Sequence, residues 1–72
     1  MLRYSRHARD RMRERQISEE EVEYCVNFHN ITRPGREGTR ILTTTTTTGR
    51  KIQVVVNFSD EDPYIVTVEE WG

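Results

Sequence analysis

The hydrophobic period changes once along this chain, and that change most constrains what it can fold into. Before the turn-rich crossing from Asn30 to Gly38, Val22, Cys25, Val26 and His29 recur at i, i+3, i+4 and i+7, a stripe along one side of a helix. After Thr39 the period is two: Ile52, Val54, Val56 and Phe58 alternate with Lys51, Gln53, Val55 and Asn57. Helical pattern first and strand pattern afterwards, with connections too short for crossover helices, specifies an α+β domain with antiparallel neighbours.

Local signals set the element ends. Ser5 is a candidate N-cap for a first helix over about 5–16. Ser18 followed by Glu21 is a capping box, and Ile17 with Val22 has the spacing of a hydrophobic staple. Glu19, Glu20 and Glu21 fill the first turn of a second helix over about 19–29, where the helix dipole favours negative charge. Tyr24 and Phe28 widen its apolar surface, Cys25 reads as a small buried hydrophobe, and His29 can meet the free carbonyls of the last turn. Strands are expected over about 31–33, 39–47, 50–58 and 64–71, with turns at Pro34-Gly35 and Thr48-Gly49 and an acidic loop from Ser59 to Pro63. The six threonines from Thr43 to Thr48 read as a long, polar strand. In the last strand, alternation puts Tyr64, Val66 and Val68 on one face and Ile65, Thr67, Glu69 and Trp71 on the other. The expected whole, residues 1–72, is a single domain with two N-terminal helices on one face of a three- to four-stranded antiparallel sheet.

Only 33% of the 72 residues are apolar, a thin core for a lone domain, so a homodimer or a bound partner is expected. No run of about 18 apolar residues is present, which argues against a membrane span or signal peptide. The single Cys25 fits a cytoplasmic protein. His7, Cys25 and His29 match no metal-ligand spacing, and neither a metal nor another cofactor is expected.

Charge is segregated beneath a net value of −1. Arginines crowd residues 1–16, carboxylates alone fill 17–32, cations return over 33–51, and acids close the chain. Pairing between neighbouring elements explains such alternation; if the two basic blocks share one side, they form a face suited to phosphates. His7, Arg11 and Arg15 fall within about 80° of one another on the first helix, beside the Ala8/Met12 stripe. Cleaving RNA without a metal needs a base for the 2′-OH, cations for the phosphoryl charge and an acid for the leaving oxygen. Histidine suits proton transfer near neutral pH, and the planar donors of arginine suit phosphate oxygens. His7, Arg11 and Arg15 are therefore the candidate catalytic residues, with Arg40 or Lys51 adding cations from the sheet. The plain alternative is an ordinary solvated helix surface.

Tyr4-Ser-x-His7-Ala8-x-x-Arg11-Met12-x-x-Arg15-x-Ile17-Ser18-x-x-Glu21-Val22 resembles the signature of a small prokaryotic domain-of-unknown-function family. That family is distantly similar to BrnT-type and RelE-type toxins of type II toxin–antitoxin systems. The likeness continues through Pro34-Gly35-Arg36-Glu37-Gly38 and Ile65-Val66-Thr67-Val68. It implies a RelE-like fold, RNA cleavage without a metal, and a small antitoxin protein as partner. The matching polar positions are His7, Arg11, Arg15 and Thr67. Two features set this chain apart: its pI near 6.1, and carboxylates at Glu69 and Glu70, which repel a phosphate backbone. Trp71 beside them can stack on a base or serve as a core or interface side chain. Two functions are thus expected: a toxin-like endoribonuclease, or a non-catalytic RelE-like module that binds RNA or protein.

Overall fold

Ser5 joins the two ends of the chain. Its hydroxyl accepts from Ala8 N at 2.9 Å, capping the first helix, and donates to Val66 O at 2.7 Å, on the last strand. In the computed structural model, which describes residues 2–58 and 62–71, the elements run β1 (Arg3–Tyr4), α1 (Arg6–Arg15), α2 (Glu19–Phe28), β2 (Ile31–Pro34), a single 3₁₀ turn (Arg36–Gly38), β3 (Thr39–Thr45), β4 (Lys51–Asn57) and β5 (Tyr64–Glu70). Residues 59–61, expected in an acidic loop, lie outside the described residues, as does Gly72.

The expected architecture is overturned. The chain opens with a strand, and the sheet is five-stranded and mixed, in the order β1-β5-β4-β3-β2 with β1 parallel to β5. Backbone bonds Arg3 N→Pro63 O and Ser5 N→Ile65 O, both 2.9 Å, hold that pairing. A two-residue strand has no periodicity to read; it exists because β5 has an open edge.

Both helices cover one face of the sheet, α1 along β5 and α2 over β3 and β4. α1 ends with Gln16 in the left-handed region (φ 56°), its N–H bonded to Arg13 O while Ile17 N bonds to Met12 O at 2.8 Å. Buried Met12 and Ile17 flank that end. The Ser18/Glu21 box then forms in both directions, with Glu21 N→Ser18 Oγ at 3.1 Å and Ser18 N→Glu21 Oε1 at 3.0 Å. The end of α2 is closed from the sheet: Thr44 Oγ1 donates to Phe28 O at 3.3 Å, and His29 Nδ1 lies 3.2 Å from Val26 O. Thr43, Thr44 and Thr46 are buried while Thr45, Thr47 and Thr48 are exposed, so half of the threonine tract lies inside the fold.

The core joins Ala8, Met12, Ile17, Val22 and Cys25 to Leu42, Ile52, Val54, Val56, Ile65 and Val68. Strict alternation in β5 fails at a bulge, where Val55 pairs with Thr67 but Val56 pairs with Ile65. Ile65 and Val68 consequently both enter the core, while Val66 joins Ile41 and Val55 on the other side. Phe58, which alternation groups with Ile52, Val54 and Val56, follows β4 and is 46% exposed.

Candidate functional site

α1 sets the first group of residues. His7, Arg11 and Arg15 follow one another at one turn plus, spanning about 12 Å at 1.5 Å per residue. Arg11 Nε lies 3.4 Å from Glu69 Oε1 of β5, which fixes this row along the outer edge of that strand. Glu14 Oε1 stands 3.8 Å from the same guanidinium, a charge contact rather than a hydrogen bond. With five N–H donors on arginine, the group keeps donors free. His7 is exposed and has no hydrogen-bond or ion-pair partner among the described residues. Arg15 is exposed too; its main-chain carbonyl is engaged, as described below.

The helix-free face of the sheet carries the second group. Register places Thr45, Lys51 and Trp71 in one row, Ile31, Thr43, Gln53 and Glu69 in the next, and Arg33, Ile41, Val55 and Thr67 beyond. Lys51 Nζ sits 5.8 Å from the centre of the Trp71 ring, and Arg3 sits 5.4 Å from that of Tyr64. Lys51 and Trp71 are thus brought together, but Arg40 is not. It pairs with Val56 near the other end of β3, about 17 Å along the strands and on the helix side. Thr67 Oγ1 is shut away from solvent without a hydrogen-bond partner among the described residues, so it presents no hydroxyl to a ligand.

A model of a domain of unknown function, DUF4258, matches residues 4–70. The chain belongs to the DUF4258 family. No curated protein and no solved structure matches it.

In this DUF4258 domain the most connected cation is one that sequence reasoning passed over. Arg50 follows the hairpin turn closed by Gly49 N→Thr46 O at 2.9 Å, with Gly49 at φ 86°. Its Nε is 2.6 Å from Glu70 Oε2, one terminal nitrogen donates to Gln16 O at 2.7 Å and lies 3.4 Å from Glu21 Oε1, and the other donates to Arg15 O. The hydrogen bond to Glu70 raises its pKa above the ordinary arginine value, more than partial burial lowers it. It therefore closes the free carbonyls at the end of α1 and ties them to α2 and β5. Nothing in local sequence marks this, since its partners come from three elements. Two further cations of α1 are paired: Arg9 with Glu19 at 2.9 Å and over Tyr4 at 4.3 Å, and Arg13 with Asp10 at 3.9 Å.

One buried and one partly buried titratable group have raised pKa values. Desolvation pushes the Cys25 thiol up to about 12, against a smaller lowering by a main-chain hydrogen bond. It pushes the Tyr4 phenol to about 12 as well, with Glu19 and Glu23 adding to the rise and Arg9 opposing it. Neither is a nucleophile at neutral pH. Among the described residues, no group of three or more His, Cys, Asp or Glu side chains is placed to hold a metal, and no helix is long and apolar enough to cross a membrane.

Proposed function

We propose that this DUF4258 domain is a toxin-like, metal-independent endoribonuclease centred on the α1/β5 edge. One observation carries the reading: Arg11 is held 3.4 Å from Glu69 while His7, one turn earlier, is exposed and unpartnered among the described residues. A proton acceptor, a cation with spare donors and a proton donor then lie along one strand edge. In this scheme the Glu69 carboxylate takes the 2′-OH proton and the 2′-oxygen attacks phosphorus. Arg11 offsets the charge growing on the phosphoryl oxygens, with Arg15 on the next phosphate. His7 gives its proton to the departing 5′-oxygen as the P–O bond breaks. The products are a 2′,3′-cyclic phosphate and a 5′-hydroxyl. Glu69, which repels a bound phosphate on charge alone, becomes useful as the base once Arg11 compensates it.

The family match names no activity, and the likeness to BrnT-type and RelE-type toxins rests on the N-terminal motif. In that setting the protein is cytoplasmic and has a small antitoxin protein or a second copy as partner. The alternative, an RNA-binding module without catalysis, draws on a different observation: Lys51 stacked over half-exposed Trp71, with Arg33 on the same face.

Incubation of purified protein with mixed RNA in excess chelator separates the two. The enzyme reading expects cleavage that His7→Ala abolishes and Arg11→Ala reduces by about 100-fold or more. Intact RNA with a salt-dependent shift that Trp71→Ala weakens supports the binding module instead. Cleavage equal in wild type and His7→Ala removes the proposed site.

A further inference from the structure

The helix-free face also holds a groove that the RNA scheme does not use. It encloses about 400 Å³ between the Gly35–Thr39 turn and a floor of Ile41, Val55 and Val66. The floor is apolar because of the β5 bulge, which turns Val66 to this side. The wall is rigid. Gly35 N donates to Thr39 O at 2.8 Å, and Arg36 O accepts from both Thr39 N and Thr39 Oγ1, the latter at 2.7 Å. Glu37 is held there at φ 54°, a left-handed conformation that a non-glycine residue adopts at a cost. Gly35 leaves no room for a side chain without a shift: a Cβ on it would lie 2.3 Å from Thr39 Oγ1. A strained, pinned turn standing over an apolar floor is a preformed wall rather than a loose connection.

The rim supplies charge. Arg36 lines the groove and Arg33 lies cross-strand from Ile41; neither has an ion-pair partner among the described residues, against the single carboxylate of Glu37. We infer that this groove docks a short amphipathic, acidic segment of a partner protein, apolar side chains down on Ile41, Val55 and Val66 and carboxylates toward Arg33 and Arg36. The apolar floor disfavours a nucleic-acid backbone, which needs polar contacts along its length. A second copy has its acidic helix, α2, on the opposite face of the sheet, so such a contact is head-to-tail and does not close into a dimer. Strand addition at β2 meets Pro34, which has no N–H to offer.

The test is an amide NMR titration of the full chain with a synthetic helical peptide bearing leucines on one side and glutamates on the other. Saturable shifts confined to the 35–41 segment, Val55 and Val66 are expected. Arg33→Gln with Arg36→Gln, two exposed residues whose loss leaves the fold intact, should weaken binding by about tenfold. A peptide with serine for leucine should not bind. No shifts at millimolar peptide, shifts on α2 or the β5 edge, or binding indifferent to both arginines overturns the inference. So does an oligouridylate that displaces the peptide from the same residues at lower concentration, which assigns the groove to RNA, or shifts that depend on protein concentration alone, which assign it to self-association.

Discussion

Replacing Arg50 with alanine removes a side chain that holds α1, α2 and β5 together at their ends. Its guanidinium is 24% exposed, and it faces two main-chain carbonyls and two carboxylates, of which Glu21 is 21% and Glu70 42% exposed. A charged donor to a buried carbonyl contributes about 1.5–3 kcal/mol, and partial exposure reduces that to about 1 kcal/mol for each of the two here. The ion pairs are partly solvated and screened, so each adds about 0.5 kcal/mol. The total loss is about 3 kcal/mol, which in a domain of this size lowers Tm by about 15 °C. Thermal unfolding followed by circular dichroism measures it, with the double variant Glu21→Gln/Glu70→Gln as control. Glutamine still accepts in the Ser18 box, so the control removes only the charge pairs and should lose about 1 kcal/mol. A control that falls as far as Arg50→Ala refutes the claim that capping α1 carbonyls is the main role. An Arg50→Ala protein within 3 °C of wild type refutes the whole estimate.

Two further outcomes follow from the same geometry. Gly35→Ala puts a methyl group against Thr39 Oγ1 and should cost about 2 kcal/mol, part of which Thr39→Ala restores in the double variant; additive losses in a denaturant cycle would show that the two sites do not touch. Buried Cys25 stays protonated in the folded state while the unfolded thiol ionises from about pH 9, so the folded state binds the extra proton and stability falls as pH rises from 9 toward 12. The slope attributable to the thiol reaches about 1.4 kcal/mol per pH unit, so the gap in urea midpoint between wild type and Cys25→Ala, set by removal of a buried side chain, should stay constant below pH 9 and shift in favour of the variant above it. A gap that stays constant from pH 6 to 11 contradicts this assignment.

What the sequence makes legible is what is local. Ser18 and Glu21 need only a spacing of three to form a cap, and Ile52, Val54 and Val56 need only alternation to face the core. The features it conceals depend on partners far along the chain. Arg3–Tyr4 is a strand only because Pro63 and Ile65 lie beside it. The bulge that sends Ile65 and Val68 to one side and Val66 to the other is a matter of register between β4 and β5, not of composition. The same division applies to the site. Helical spacing alone aligns His7, Arg11 and Arg15, but Glu69 joins them through a contact across 58 positions of sequence. Arg40 and Lys51, alike as cations in a basic stretch, separate to opposite ends of the sheet because a strand spreads its residues along about 3.4 Å each.

In the proposed function, the α1/β5 edge cleaves RNA by attack of the neighbouring 2′-hydroxyl, with protons moved by Glu69 and His7. Its most direct measurement is the chemistry of the cut ends, using an end-labelled oligoribonucleotide in chelator and a matched oligonucleotide with one 2′-deoxy residue at the preferred cut. A 2′,3′-cyclic phosphate at that position in the all-ribose strand, no cut in the deoxy strand, and neither with His7→Ala is the predicted result. Cleavage of the deoxy position, ends other than a cyclic phosphate and 5′-hydroxyl, or no cleavage of any RNA contradicts it.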